Sequence, residues 1–160
     1  MFTLGLDPSF LATIAAIMAI GGSEWYYNET LPSGGKSTAA LTLRAMLIVR
    51  QLGNCYFLLG MISICVLSAI RRAVPYDAVA QEKLVGGLLT ALAIADVTHV
   101  GLSLLGMPLA LVFEPWKWNG IVHGNITVTL ALFICRMAWF AGMGRSSYYY
   151  RVQGAKLKET

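Results

Sequence analysis

Charge is what this sequence has least of. Asp, Glu, Lys and Arg supply 12% of its 160 residues, about half the roughly 25% of ordinary soluble domains. A soluble domain of this length needs more polar surface than that. Cysteine is also scarce: Cys55, Cys65 and Cys135 all fall inside apolar runs and are odd in number, which argues against a disulfide framework. They read as small packing residues. The chain has no serine elbow, no Cys-His nucleophile signature and no dinucleotide fingerprint. Gly34-Gly35-Lys36-Ser37 suggests a phosphate loop, but Thr30 stands where a Walker motif needs its first glycine, and a helix rather than a strand precedes it. A flexible loop is the better reading.

Hydrophobic residues are abundant, at 57% of the chain, and they gather in runs of the roughly 20 residues that span a bilayer. Four runs predict an all-α integral membrane bundle of four transmembrane helices over residues 1–145. The helices are expected near 9–27, 38–70, 84–106 and 120–143, with a basic, tyrosine-rich tail over 146–160. The first run lacks the basic n-region and cleavage site of a signal peptide, so it is expected to be kept as a helix. Asp7-Pro8 reads as its N-cap and first residue, and Ser23-Glu24-Trp25-Tyr26-Tyr27 as an interfacial aromatic belt at its far end. Asn28-Glu29-Thr30 is a formal glycosylation sequon close to the membrane edge. Arg71-Arg72 closes the second helix, Met107-Pro108 breaks the third, and Glu114-Pro115-Trp116-Lys117-Trp118-Asn119 forms a second belt.

The net charge of +4 sits at helix ends and in the tail rather than on one face, which argues against nucleic acid. With four crossings, Arg71, Arg72, Lys83, Arg145, Arg151, Lys156 and Lys158 share one side. That predicts cytosolic termini in an endoplasmic reticulum membrane.

Against this background the polar residues inside the helices need an explanation. Each ionisable group at that depth costs about 2.5–3.5 kcal/mol on insertion scales, and such groups usually face a bundle interior or a wet cavity. Asp96 and His99 stand one helical turn apart on the third helix. Counting 1.5 Å per residue places Glu24, Arg50, Asn54, Asp96, His99, His123 and Asn125 in the same half of the bundle, with Glu114 and Trp116 in the loop above. That predicts a cavity open to the lumenal interface. Arg136, about 24 Å along the last helix, is the exception and is expected to serve the other interface or to pair with a neighbouring helix.

Two carboxylates in different surroundings are the usual equipment of general acid–base catalysis. Asp96 is the candidate acid, Glu24 the candidate base, and His99 a partner able to orient Asp96 or exchange protons with it. Arg50, Asn54, Tyr56, Glu114, Trp116, His123 and Asn125 are candidates to bind substrate. In the competing reading Asp96 and His99 satisfy each other and tie helices together. The two histidines and scattered acids have no recognised metal spacing, so neither metal nor cofactor is expected, although a haem between His99 and His123 is conceivable.

Three runs carry a family likeness: Gln51-Leu52-Gly53-Asn54-Cys55-Tyr56, Ile94-Ala95-Asp96-Val97-Thr98-His99, and Asn125-Ile126-Thr127 followed by Arg136-Met137-Ala138-Trp139-Phe140-Ala141-Gly142. Over residues 10–144 the chain resembles small fungal four-helix membrane proteins of unassigned function. Its general type is similar to membrane epoxide hydrolases and cyclases of fungal polyketide and meroterpenoid pathways. The resemblance implies a cofactor-independent enzyme of secondary metabolism that opens an epoxide, by hydrolysis or cyclisation, in a lipophilic polyketide or terpenoid intermediate. The alternative is a non-catalytic adaptor that recruits soluble pathway enzymes through the tail. Expected partners are a lipophilic substrate, the bilayer, and a second copy or pathway enzymes.

Overall fold

In a computed structural model, residues 8–32, 41–144 and 146–148 are described, and the secondary structure among them is helical. Helix α1 covers Pro8–Gly21 and α2 covers Ser23–Glu29. Pro8 occupies the first helical position, where its missing N–H costs nothing, while its expected cap Asp7 lies outside the described residues. The single helix expected over 9–27 is instead broken at Gly22, whose φ of −122° and ψ of 47° leave the helical region. Ser23 Oγ donates to the Ala19 carbonyl at 2.8 Å and the Ile20 carbonyl at 3.2 Å. A side-chain hydroxyl thereby serves carbonyls next to the bend.

Helix α3 spans Leu43–Ala73, with Thr42 Oγ1 capping it by accepting from the Ala45 N–H at 3.2 Å. Residue 38, the expected start, lies outside the described residues, but residues 41–42 are not helical and Thr42 is extended (φ −64°, ψ 150°), so the helix begins later than expected and runs to Ala73 rather than residue 70. Arg71 and Arg72 fill the last turn, where cations suit the helix dipole. Helix α4 spans Ala78–Leu105. It begins six residues earlier than expected because Asp77 Oδ1 accepts from the Ala80 N–H at 2.8 Å, which draws Glu82 and Lys83 into the helix. It stops ahead of Met107-Pro108, since the residue before a proline disfavours helical geometry.

The connection that follows is structured, with α5 at Leu109–Val112 and a 3-10 turn at Pro115–Lys117. Trp118 Nε1 donates to the Leu111 carbonyl at 2.8 Å and closes this loop on itself. Asn119 then caps the last crossing through the Val122 N–H at 3.0 Å. That crossing comprises α6 (Gly120–His123), a π-helical turn (Gly124–Val128) and α7 (Thr129–Phe140).

Among the described residues, three helices are long and apolar enough to cross a membrane: Leu43–Ala73, Ala78–Leu105 and Gly120–Phe140, of 31, 28 and 21 residues. At 1.5 Å per residue they reach roughly 47, 42 and 32 Å, against a hydrocarbon thickness of about 30 Å. The 14 residues of α1 give only about 21 Å. The expectation of four equivalent spans is therefore met by three, together with a shorter bent pair.

Packing is pairwise, with α1 along α3 and α4 along α7. The first pair approaches closely at Gly53, where an added Cβ would lie 2.7 Å from Ile20 Cγ1, 3.0 Å from Ala19 Cβ and 3.2 Å from the Ala16 carbonyl oxygen. Small residues at such contacts let helix backbones pack tightly in a membrane. Ala19, Tyr26 and Val49 form one buried cluster, backed by Tyr56 and Ile121. Met107, Val122 and Ile126 form another, backed by Val100, Leu104 and Trp118. Many large apolar side chains point outward, among them Ile48, Phe57, Ile94, Val97 and Ile134. This is the distribution expected when the surroundings are lipid.

Helix α7 ends three residues before the expected 143. Gly142 and Gly144 then take positive φ, 75° and 70°, which a side-chain-bearing residue adopts at a cost. The turn carries Ser147 and Tyr148 to α4, where Ser147 Oγ donates to Glu82 Oε1 at 2.9 Å and the Tyr148 N–H donates to Glu82 Oε2. Glu82 is only 6% exposed. Residues 149–160, the rest of the expected tail, lie outside the described residues, as does the Gly34-Gly35-Lys36-Ser37 loop.

Candidate functional site

Asp96 and Arg136, 9% and 8% exposed, form a buried ion pair between α4 and α7. The pair sets the relative level of the two helices. Asp96 lies nine residues before the end of α4, about 14 Å, whereas Arg136 lies sixteen residues after Gly120, about 24 Å. The 106–119 connection takes up the difference. Depth counted from helix ends alone placed these residues apart because it took the connection to be level. Of the two roles open to Arg136, the structure selects pairing with a neighbouring helix.

His99 is half-buried one turn along α4, and its backbone carbonyl accepts from Ser103 Oγ at 2.8 Å. Asp96 is thus engaged by a guanidinium, which supplies planar, paired donors that match a carboxylate. A carboxylate held in this way is committed to charge balance between helices.

Glu24 belongs to a different place. Beside the break at Gly22 lies a groove of about 560 Å³ lined by Gly21, Gly22, Ser23, Glu24, Trp25, Asn28, Glu29, Met46 and Arg50. The groove brings together the predicted residues Glu24 and Arg50, and Asp96 is not among its lining. Neither the Glu24 nor the Arg50 side chain forms a hydrogen bond or ion pair with another described residue. Glu29 is held by Asn119, whose Nδ2 donates to Glu29 Oε2 at 2.9 Å and to the Glu29 carbonyl at 2.8 Å. That bond ties the end of α2 to the start of the last crossing and keeps the groove wall in place.

The remaining predicted residues are dispersed. Tyr56 accepts a 3.4 Å hydrogen bond from the Tyr26 hydroxyl inside the α1–α3 packing. Asn54 is exposed on α3, outside the groove lining. Glu114 forms a 2.7 Å ion pair with Lys117, and Trp116 is 74% exposed beside it. His123 is exposed, with Nδ1 3.0 Å from Thr127 Oγ1 and its ring tilted against Trp118 at 5.4 Å between centroids. Asn125 is half-buried in the π-helical turn. The groove lining includes none of Asp96, His99, Glu114, Trp116, His123 and Asn125.

Sequence reasoning missed Asn28, Glu29 and Met46 as groove residues. Glu29 and Asn119 are 90 positions apart, and no local pattern links them. Charge balance offered a usable signal for Arg136: it is the cation in an apolar run, and Asp96 is the acid in another.

Among the described residues no group of three or more His, Cys, Asp or Glu side chains is placed to hold a metal ion. No curated protein and no solved structure matches the chain. The family described as Domain of unknown function (DUF7704) matches residues 1–146, and the chain belongs to that family.

Proposed function

We propose that the protein is an integral membrane protein that holds a lipophilic amphiphile by its polar end in the groove between α2 and α3. The observation that carries this reading is the pairing of opposite charges, Glu24 and Arg50, in one groove without an ion pair between them. Depth supports it. Centred on a 30 Å hydrocarbon layer, α3 overhangs by roughly 8 Å at each end, and Arg50, seven residues from Leu43, lies about 10 Å along it. Arg50 therefore stands near the hydrocarbon boundary, where a long cationic side chain reaches the headgroups. Trp25 and Tyr27, both exposed, suit the same level.

In this reading α1 and α2 together form a fourth, bent crossing. Their 22 positions from Pro8 to Glu29 reach about 33 Å. Both termini are then cytosolic, in the endoplasmic reticulum membrane.

Epoxide opening is the second reading, favoured by the same two residues. With Asp96 engaged by Arg136, the chemistry falls to Glu24 as base on water and Arg50 as the cation facing the epoxide oxygen. Water's oxygen bonds to the epoxide carbon, the carbon–oxygen bond breaks, Glu24 takes the proton, and the alkoxide formed beside Arg50 is protonated by solvent. A scaffold role through the tail rests on residues 146–160, of which 149–160 lie outside the described residues.

The test is photolabelling in nanodiscs with a neutral alkyl-diazirine amphiphile. Labelling is expected at Trp25 and Met46, and is expected to fall about tenfold, the equivalent of ~1.4 kcal/mol, in Gly21→Phe. A Cβ at Gly21 meets nothing within 4 Å, so the larger side chain starts from open space on a residue of the groove lining. Equal labelling in both proteins would reject the site. Turnover of a lipophilic epoxide that survives Glu24→Gln would reject the catalytic reading.

A further inference from the structure

We infer that the occupant of this groove is an amino-phospholipid, with its phosphodiester on Arg50 and its primary ammonium on Glu24. The inference rests on the amphiphile reading and names the class of head group. Arg50 offers a planar fork of N–H donors and no acceptor, which matches phosphate oxygens. Glu24 offers acceptors only, which matches an ammonium carrying three donors. A purely anionic head group satisfies Arg50 but places its charge beside Glu24 and Glu29, both lining the same groove. A purely cationic one meets the reverse conflict at Arg50. A zwitterion whose opposite charges are separated by a short bridge resolves both, and it takes the place of the ion pair that Glu24 and Arg50 do not make.

The number of carboxylates supports the ammonium assignment. Glu24 and Glu29 face one guanidinium across the groove, so its walls carry net negative charge. Glu29 Oε2 already accepts from Asn119 Nδ2, whereas neither carboxylate oxygen of Glu24 is bonded to another described residue, so Glu24 is the more available acceptor. A trimethylammonium offers no N–H to a carboxylate. It would depend on the face of Trp25, which is 49% exposed, where a cation–π contact is weak. A primary ammonium gains charge-assisted hydrogen bonds instead. The level of Arg50 also fits, because a phospholipid's phosphate lies just outside the hydrocarbon boundary.

The experiment is native mass spectrometry of the full chain released from micelles doped equally with dioleoyl phosphatidylethanolamine, phosphatidylcholine and phosphatidylglycerol. The ethanolamine lipid is expected to be retained about tenfold over phosphatidylglycerol, with phosphatidylcholine between them. Glu24→Gln should abolish the discrimination while keeping binding. Arg50→Gln should weaken retention of all three lipids. Both positions are exposed, and unchanged thermal unfolding of the variants checks that folding is intact. Equal retention of ethanolamine and glycerol lipids, preference for phosphatidylcholine, or an unaltered preference in Glu24→Gln would overturn the assignment. Displacement by equimolar glycerophosphoethanolamine would also overturn it, by making the ligand a free zwitterion rather than a lipid. Continued photolabelling of Trp25 and Met46 alongside a lost preference would sink the head-group assignment alone. Loss of photolabelling would remove the amphiphile reading with it.

Discussion

Asp96 with Arg136 and Glu24 with Arg50 are both a carboxylate and a guanidinium in a largely apolar chain, and they are used in opposite ways. The first two residues lie on α4 and α7, are almost fully buried, and bond to each other. The second two line an open groove beside the bend at Gly22 and leave each other unbonded. In the interior, where water cannot stabilise a lone charge, the only inexpensive arrangement is mutual satisfaction. In the proposed reading the second pair stands at the interface, where water and headgroups would stabilise each charge separately and leave the pair open to a ligand. Chemical identity alone does not distinguish a closed pair from an open one; burial and access do.

The largest expected effect breaks the closed pair. Asp96→Ala or Arg136→Ala leaves one buried charge without its partner, and each should destabilise the bundle by about 3–5 kcal/mol, read as equilibrium unfolding in mixed micelles. The double variant Asp96→Leu with Arg136→Met should recover most of that loss. If the double variant is as unstable as the sum of the single ones, the two residues are not a closed unit and the contrast fails.

A comparable steric test addresses the helix pair that builds the open groove. Gly53→Val places a branched side chain against Ile20, Ala19 and the Ala16 carbonyl. Overpacking of this kind typically costs about 1–3 kcal/mol. The α1–α3 contact should loosen, and labelling at Met46 should change with it.

Glu82→Ala removes the acceptor for Ser147 Oγ and the Tyr148 N–H. Losing hydrogen bonds to a buried charged group should cost about 1.5–3 kcal/mol locally and speed limited proteolysis of the C-terminal segment. The cleavage rate of the variant against the parent checks this.

The smallest effect is expected at Glu114 and Lys117. Their ion pair is 2.7 Å long, but its side chains are 33% and 55% exposed, and such pairs contribute roughly 0–1 kcal/mol. Lys117→Ala should leave the unfolding midpoint almost unchanged. A shift as large as that from Arg136→Ala would mean that burial is not what separates the two kinds of pair.

Much of the fold was legible because membrane insertion is governed by local quantities. Runs of apolar residues located the three long helices, and Arg71-Arg72 and Met107-Pro108 marked ends that the structure keeps, whereas the cap at Asn119 was read only as part of an aromatic belt. The beginning of α4 was less legible, because a helix extends beyond its apolar run wherever a cap such as Asp77 supports it. The break at Gly22 gave no hydropathy signal. The end of α7 was set by Gly142 and Gly144, whose positive φ turns the chain back toward Glu82.

The candidate site was legible only in part. Glu24 and Arg50 were both singled out as polar residues near one membrane face, and the groove brings them together. Asp96 was identified as a residue needing a partner. That partner is Arg136, forty positions away, and counting along helices of unknown relative level did not reveal it.

By itself, then, the sequence determined the class of this protein. Too little charge for a soluble surface and apolar runs long enough to cross a bilayer follow from composition and spacing alone, because every residue of a membrane helix answers to the same surrounding solvent. Tertiary structure decided which charges are spent on one another and which are left available. That depends on the stagger of α4 against α7, where Asp96 meets Arg136 across forty positions, and on a bend of one residue at Gly22, whose backbone angles leave no mark on hydropathy.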